Sequence, residues 1–364
     1  MSSSSLPKTY KHAVFKTQGQ PLTIEEVELK LPGPGEVLVK VEACGVCYSD
    51  MYAQHNGMGG GFPMVPGHEI IGKVAAAEDG VTWKAGERIG AGWHGGHDGE
   101  LHTPTRTNYQ TVLILIPPPP HSGTCNACKK GWLQMCESPV INGENKQGGY
   151  SEYVLIRAEA AVRVPAHVDA AKYAPIMCAG MTAFNALRNM GIAAGETVAI
   201  QGLGGLGHMA IQYANRFGYR VVAISRDGSK EAFARKLGAH EYVDASKGDV
   251  GAQLQKLGGA RLVVATAPTA DGMGSLMAGL GLLGKLLVLS VPGDITINTG
   301  AMLGKGLSVQ SWPGGHCRDS EETIAFTELH GVECIVDTYP LDKAQEAYDA
   351  MLAGKIRGRA VITP

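Results

Sequence analysis

The chain has 364 residues, of which 44% are hydrophobic and 18% are charged, and its formal net charge at pH 7 is -2. This length allows two domains with separate cores, and the near-neutral charge gives no basis for a nucleic-acid partner. No apolar run approaches the ~20 residues of a membrane span, and the serine-rich start lacks the apolar core of a secretory signal. We therefore expect a cytoplasmic protein whose eight cysteines are reduced and available for metal binding.

Short strand-like runs separated by glycine and proline fill the first ~90 residues and predict an antiparallel β domain. These predicted strands are Ala13–Phe15, Glu36–Val41 and Ile70–Val74.

From about Cys178 onward, strands alternate with helices, a pattern that predicts a doubly wound parallel sheet and places the chain in the α/β class. The predicted strands are Thr197–Gln201, Tyr219–Ser225, Leu262–Ala265 and Lys285–Leu289, and the predicted helices are His208–Phe217 and Lys230–Leu237. The last strand-like segment, Arg359–Thr363, is expected to rejoin the first domain.

Three separate segments carry Cys47, His68 and Cys178, which together predict a catalytic zinc site. Three protein ligands leave a fourth coordination position for water or substrate, as catalytic zinc requires. Asp50 is expected to hold the second ring nitrogen of the histidine ligand. Glu69 is either a transient fourth ligand or a structural carboxylate near the metal. Cys44 is interpreted as a small buried residue rather than a ligand.

A second cysteine group, Cys125, Cys128 and Cys136, has the spacing of a structural zinc loop but lacks a fourth cysteine. A closed tetrahedral zinc site needs four ligands. Ser122 occupies the expected place, and His121, Asp98 and His97 are the nearest alternatives, of which Asp98 is favoured. The other interpretation is a reduced loop without metal.

The run Gly202-Leu203-Gly204-Gly205-Leu206-Gly207 follows a predicted strand and opens a predicted helix, the context of a dinucleotide site. At the end of the next strand, Ser225, Arg226 and Lys230 favour the 2′-phosphate of NADP(H), while Asp227 comes one position too late for an NAD-type ribose contact. A zinc beside a nicotinamide predicts hydride transfer to or from a carbonyl carbon.

Together, the motifs resemble the zinc-dependent medium-chain dehydrogenases, and most closely the cinnamyl-alcohol-dehydrogenase-like alcohol dehydrogenases of fungi and bacteria. The resemblance covers nearly the whole chain. It depends on motifs that include Gly-Val-Cys47-Tyr-Ser-Asp, Val-Pro-Gly-His68-Glu, the cysteine loop ending at Cys136, Gly148-Gly-Tyr-Ser-Glu-Tyr and Cys178-Ala-Gly-Met-Thr.

The resemblance implies a GroES-like catalytic domain over 1–179 and 316–364, with a Rossmann domain over 180–315 between its two segments. It also implies that Ser49 passes the alcohol proton, that Trp93 lines the substrate pocket, and that Thr182 and Arg359 contact the cofactor. Two positions depart from the family. Tyr48, on the cofactor side, replaces a basic residue, and Tyr52, in the pocket, replaces a proton-relay histidine, so the relay ends at Ser49 or continues through water or the ribose.

Residues 100–122 interrupt the family pattern with an apolar run and a proline tract. We interpret them as an extra segment in the zinc loop, from an unspliced intron or, alternatively, a lineage-specific loop. Gly99 and Gly123 should then lie close together.

The predicted function is a zinc-dependent oxidoreductase that transfers hydride between NADP(H) and a primary or secondary alcohol, aldehyde or ketone. The alternatives are a metal-independent enone reductase of the same superfamily and a non-catalytic NADPH-binding or scaffold protein. The substrate is a small molecule, and a homodimer or homotetramer is expected.

Overall fold

A computed structural model describes residues 6–96 and 125–364 of the chain. Asp98, His97, His121, Ser122 and the segment 100–122 therefore lie outside the described residues, as do Gly99 and Gly123. Within the described ranges, no helix combines the length and the apolar character needed to cross a membrane.

The strands, in chain order, are β1 (Thr9–Val14), β2 (Thr23–Glu28), β3 (Glu36–Val46), β4 (Ile70–Ala77), β5 (Arg88–Ala91), β6 (Tyr153–Arg157), β7 (Val162–Arg163), β8 (Thr197–Gln201), β9 (Arg220–Ser225), β10 (Glu241–Asp244), β11 (Ala260–Ala265), β12 (Leu280–Val288), β13 (Ser308–Ser311), β14 (Val336–Pro340) and β15 (Arg359–Thr363).

The α-helices are α1 (Asp50–His55), α2 (Asn126–Lys129), α3 (Ala170–Tyr173), α4 (Ala179–Arg188), α5 (Gly205–Arg216), α6 (Glu231–Lys236), α7 (Val250–Lys256), α8 (Met273–Ala278), α9 (Thr299–Lys305), α10 (Cys317–His330) and α11 (Ala344–Leu352).

The first sheet runs β14-β15-β3-β4-β5-β7, and β6 also pairs with β3. Its pairs are antiparallel except β14 with β15. The closing strand β15 lies beside β3, with Ala360 opposite Val46, which confirms that this segment rejoins the first domain. The antiparallel β domain predicted from the early strands is confirmed as well.

The second sheet is parallel throughout the described residues, in the order β10-β9-β8-β11-β12-β13. Its central strand β8 is flanked by β9 and β11, and the chain order reverses there, as in a doubly wound sheet. The α/β class and the combination of two sheets are confirmed. The domain boundaries at 179/180 and 315/316 stay predictions.

The largest buried cluster includes side chains of both sheets, among them Ile71, Val198 and Val361, together with Met177 next to the predicted ligand Cys178. This shared core fixes the two sheets against each other and places Cys178 between them.

Local details differ from the sequence prediction at the strand and helix ends. β3 continues to Val46, because Cys44 still pairs with β4, and Gly45 and Val46 pair with β15. The helix predicted from Lys230 begins at Glu231, preceded by a 3-10 turn over Gly228–Lys230 that the Asp227 side chain caps. The first α-helix of the parallel sheet begins earlier than predicted, at Gly205.

Candidate active site

The ends of three elements bring the predicted catalytic ligands together. Cys47 follows the last residue of β3, His68 precedes β4, and Cys178 is the N-cap residue of α4. Gly67 makes the approach of His68 possible, because its φ is +101° and a Cβ atom there would lie 2.5 Å from the Tyr150 ring. The sulfur atoms of Cys47 and Cys178 are 3.9 Å apart.

This donor set fits a zinc ion. One atom each of Cys47, His68, Glu69 and Cys178 lies within 4.8 Å of the other three. A tetrahedral ion with Zn–S bonds of about 2.3 Å separates its two sulfur ligands by about 3.8 Å, close to the 3.9 Å in this protein. Contact with Cys178 holds the pKa of Cys47 well below its ordinary value, while the same contact raises the pKa of Cys178.

Asp50 lies behind the imidazole of His68, and both side chains are fully buried. Its Oδ1 atom is 3.2 Å from His68 Nδ1. Its Oδ2 atom accepts hydrogen bonds from the Tyr150 hydroxyl at 2.7 Å and from the Cys47 amide at 2.8 Å. Burial lowers the pKa of His68, but Asp50 and the Cys47 sulfur outweigh this and leave the pKa raised. Asp50 therefore connects the His68 imidazole to the backbone of Cys47, two residues of the predicted ligand set.

The predicted proton donor and pocket residues surround this cluster. The Ser49 hydroxyl donates to Cys47 Sγ at 3.0 Å and lies 3.3 Å from His68 Nε2. The Trp93 ring meets the His68 ring edge-on, with centroids 4.8 Å apart. Tyr52 lies on α1, and burial raises the pKa of its phenol. Tyr48 is exposed, so its side chain can face a bound ligand.

Glu69 and Arg359, the first residue of β15, form a buried ion pair next to the cysteine cluster. Burial raises the pKa of Glu69 to about 8, while Arg359 acts in the opposite direction. A Cβ atom on Gly205 would lie 2.4 Å from Arg359 Nη1, so the guanidinium also reaches the first residue of α5. Glu69 remains within the four-residue ligand cluster, which keeps both interpretations of its role open.

The glycine loop after β8 has the form of a phosphate cradle. Gly202 has a φ of +93°, and a Cβ atom on Gly207 would lie 1.8 Å from the Gly202 carbonyl oxygen, so the turn requires both glycines. A Cβ atom on Gly204 would meet nothing within 4 Å, which leaves open space in front of the α5 N-terminus. Leu206 continues the first turn of this helix. Free amides and the helix dipole at such an end attract a pyrophosphate.

The end of β9 carries the residues that would select the cofactor. Ser225 closes the strand, and Arg226 is exposed and makes no hydrogen bond or ion pair in the described part of the chain. Asp227 is engaged elsewhere, because its carboxylate accepts the Ser229 amide at 2.9 Å. Hydrogen bonds from the side chain and the amide of Ser229 lower the pKa of Asp227. Lys230 ends the 3-10 turn that follows.

Thr182, the remaining cofactor residue implied by the resemblance, lies in the first turn of α4, where its amide donates to the Cys178 carbonyl at 2.8 Å. Its hydroxyl lies beside Gly314. This position is on the same helix end that carries the cysteine ligand.

The second cysteine cluster is also assembled, since sulfur atoms of Cys125, Cys128 and Cys136 lie within 4.8 Å of one another. Burial and the two neighbouring thiols raise the pKa of Cys128 to about 12. The fourth ligand favoured from the sequence, Asp98, lies outside the described residues and stays a prediction.

Two side chains next to the site were not predicted from the sequence. Tyr150 belongs to a motif that carried the resemblance, but its bond to Asp50 had no local signal. Glu144 is 2% exposed, and its two carboxylate oxygens have no hydrogen-bond partner among the described residues. Burial, followed by the nearby Asp50 charge, raises the pKa of Glu144 to about 9.

Comparisons with known proteins agree with this arrangement. The model of the alcohol dehydrogenase GroES-like domain matches residues 33–166, and that of the zinc-binding dehydrogenase matches residues 205–331. The chain is 59% identical to alcohol dehydrogenase patD of Penicillium expansum over 361 residues, which cover 99% of each protein.

Two solved structures show the same architecture. Cinnamyl alcohol dehydrogenase from Sorghum bicolor is 25% identical, with a TM-score of 0.83 and 98% of each chain covered. The cobalt- and zinc-bound thermostable alcohol dehydrogenase from Pyrobaculum aerophilum is 26% identical, with a TM-score of 0.81 over 98% of this chain and 100% of the other. The chain therefore belongs to the alcohol dehydrogenase family of the medium-chain dehydrogenase/reductase superfamily and is an oxidoreductase that acts on alcohols.

Proposed function

We propose that the protein is a zinc-dependent, NADP(H)-preferring alcohol dehydrogenase that also reduces aldehydes or ketones. The observation that carries the proposal is the junction between the two candidate sites. Arg359 pairs with Glu69 in the ligand cluster and also touches Gly205 at the start of the cofactor helix. A carbonyl bound at the cysteines would thus lie next to a nicotinamide bound along the parallel sheet.

The residues around the cysteine cluster have separate roles in the proposed reaction. A zinc ion held by Cys47, His68 and Cys178 would act as a Lewis acid that polarises the substrate oxygen. Asp50 keeps the His68 imidazole in one orientation and tautomer, because its oxygen lies 3.2 Å from Nδ1. The buried cluster excludes bulk water, which strengthens every electrostatic interaction inside it.

Proton transfer is the role proposed for Ser49. Its hydroxyl lies within hydrogen-bond distance of Cys47 Sγ and His68 Nε2, so it adjoins the place where the substrate oxygen would bind. A hydroxyl can accept the alcohol proton while passing its own to water or to a cofactor ribose hydroxyl. Trp93, edge-on to His68, would form one wall of the pocket.

Cofactor preference is proposed from the corner after β9. An NAD site uses a carboxylate at this strand end for the ribose hydroxyls. Here Ser225 occupies the strand end, and the nearest carboxylate, Asp227, caps a 3-10 turn. The Arg226 guanidinium, which can bind a phosphate with two hydrogen bonds, has no competing ion pair in the described part of the chain.

The assembly state and location stay predictions. A homodimer or homotetramer would cover the exposed side chains of Leu282, Leu283 and Leu303 around β12 and α9. Sedimentation analysis of the purified chain measures this, and a monomer would contradict the expectation. A cytoplasmic location is retained from the sequence composition and is tested by cell fractionation.

Metal content and cofactor use together test the proposed function. We expect bound zinc in the purified protein, oxidation of NADPH with a panel of aldehydes and ketones, and weaker use of NADH. Arg226→Ala should weaken NADPH by ~1.5–3 kcal/mol, about 10- to 150-fold, and leave NADH nearly unchanged. Lys236→Ala, which removes an exposed positive charge at the end of α6, is the matched control.

Each outcome separates the candidate functions. Metal-free protein with full activity on enones would identify the metal-independent reductase. NADPH binding without turnover on any tested carbonyl would identify the non-catalytic alternative. A wild type that uses NADH as efficiently as NADPH would show that the cofactor assignment is wrong.

A further inference from the structure

The turn that carries Glu144 is built against the wall of the active site. The Asn142 amide donates to the Trp93 carbonyl at 3.2 Å, and Asn142 Nδ2 donates to the Gly92 carbonyl at 2.9 Å. The loop after α1 closes over the turn from the other side, because a Cβ atom on Gly60 would lie 2.0 Å from the Glu144 carbonyl oxygen. Glu144 is therefore held between the loop after α1 and the Trp93 segment, whose indole ring contacts His68.

Three buried polar groups meet at this point, and the Glu144 carboxylate among them has unused hydrogen-bonding capacity. A carboxylate oxygen of Glu144, one of Asp50 and a ring nitrogen of His68 lie within 4.8 Å of one another. Both oxygens of Glu144 lack a hydrogen-bond partner among the described residues, whereas Asp50 Oδ1 and His68 Nδ1 face each other at 3.2 Å. Buried polar atoms rarely stay unpaired, and atoms at such separations are commonly joined by one water molecule.

We propose that Glu144 is a positioning residue that, with Asp50, fixes the orientation of the metal-binding His68 imidazole. The three groups form one polar cluster, joined directly or across a single buried water. This inference rests on the proposed function, because it takes Cys47, His68 and Cys178 as the zinc ligands.

The burial of Glu144 separates this role from substrate contact. Neither carboxylate oxygen is accessible from the solvent side of the pocket, so the side chain acts through its neighbours. The Tyr150 hydroxyl donates to Asp50 Oδ2 at 2.7 Å, Asp50 Oδ1 faces the imidazole at 3.2 Å, and a carboxylate oxygen of Glu144 lies within 4.8 Å of this pair. Residues that orient metal-binding histidines typically change metal affinity by about 10- to 100-fold when removed.

The test measures metal binding directly. Glu144→Leu removes the polar group at similar volume, and Glu144→Gln keeps one donor and one acceptor. We expect Glu144→Leu to weaken Zn²⁺ by about 10- to 100-fold and to shift the visible absorption bands of the Co²⁺-substituted protein, with Glu144→Gln within about threefold of wild type. The readouts are competition with a chelator of known affinity and the cobalt spectrum.

A control in the same turn distinguishes positioning from loop stability. Asn145 is exposed, and its side chain bonds the Ile141 amide and the Pro139 carbonyl, so Asn145→Ala loosens the turn without touching the polar cluster. We expect its zinc affinity to match wild type. Equal losses of zinc affinity in Asn145→Ala and Glu144→Leu would overturn the inference. A Glu144→Gln variant with the same loss of zinc affinity as Glu144→Leu would also overturn it.

The two proposals fail differently. Wild-type protein that binds no zinc overturns the proposed function and this inference together. Wild-type protein that binds zinc, with a Glu144→Leu variant of equal affinity and unchanged cobalt spectrum, overturns only the inference. If the leucine variant does not fold, Glu144→Asp, which shortens the reach of the carboxyl group, decides: we expect at least about threefold weaker zinc, and wild-type affinity would overturn the role.

Discussion

The glycine loop offers a test in which stability and cofactor affinity respond separately. A Cβ atom on Gly207 would lie 1.8 Å from the Gly202 carbonyl oxygen, whereas one on Gly204 would meet nothing within 4 Å. Gly207→Ala therefore forces α5 away from β8. Overpacking against backbone costs ~3 kcal/mol, and the better helix propensity of alanine returns ~1 kcal/mol, which leaves a loss of ~2 kcal/mol.

The loss translates into a measurable melting shift. A chain of 364 residues has an unfolding entropy of ~0.8 kcal/mol per kelvin, so Gly207→Ala should lower the Tm by about 3 °C. Gly204→Ala should change the Tm by about 1 °C or less, because only the weaker N-cap preference of alanine opposes it. Both variants should bind NADPH at least about tenfold more weakly, since each alters the place of the pyrophosphate.

Differential scanning fluorimetry without ligand and fluorescence titration with NADPH measure the two quantities. Unchanged NADPH affinity in Gly204→Ala would refute the placement of the pyrophosphate at the α5 N-terminus. Wild-type stability in Gly207→Ala would refute the argument that backbone approach requires glycine there.

Three further predictions concern other parts of the molecule. Cys47→Ser and Cys178→Ser should each abolish turnover and zinc retention while NADPH binding survives, and near-normal activity of a zinc-free variant would end the zinc proposal. Burial lowers the pKa of His208 in the folded protein to about 4. As the pH falls below about 6.5, the unfolded state therefore binds a proton at this histidine before the folded state does. The free energy of unfolding should consequently fall by ~3 kcal/mol between about pH 6.5 and pH 4. His208→Gln should reduce this pH dependence of the unfolding free energy, measured by urea titration at several pH values. An unchanged pH dependence would mean that other groups cause it. Deleting residues 100–122 should keep or raise the Tm and the occupancy of the second zinc site with Asp98 as ligand, whereas unfolding or loss of activity would show that the segment is integral.

Some elements were predictable because their signal is local. β8 and β15 have the bounds expected from the sequence, Thr197–Gln201 and Arg359–Thr363. A glycine marks one end of each apolar run, because Gly202 follows β8 and Gly358 precedes β15. The meeting of Cys47, His68 and Cys178 was predictable only as a constellation. No spacing rule connects residues from three segments, but each carried a motif of its own.

Other features depend on contacts between distant parts of the chain and left no local pattern. The bond from Tyr150 to Asp50 joins residues a hundred positions apart. The burial of Glu144 depends on Gly60 and on the turn against Trp93. A charged residue in a loop rich in glycine and asparagine is ordinarily solvated, so the sequence alone favours the opposite environment. The helix predicted from Lys230 begins one residue later, at Glu231, because the Asp227 side chain caps a 3-10 turn before it.

The pairing of β15 with β3 has a consequence for the order of assembly. The parallel sheet is built from strands that are near neighbours along the chain, whereas Ala360 must find Val46 across more than 300 intervening residues. Contacts of long sequence separation form late because their loop-closure entropy must be met first. The parallel sheet, which carries the predicted cofactor site, should therefore fold before Arg359 pairs with Glu69. During refolding from denaturant, recovery of NADPH binding should precede recovery of turnover.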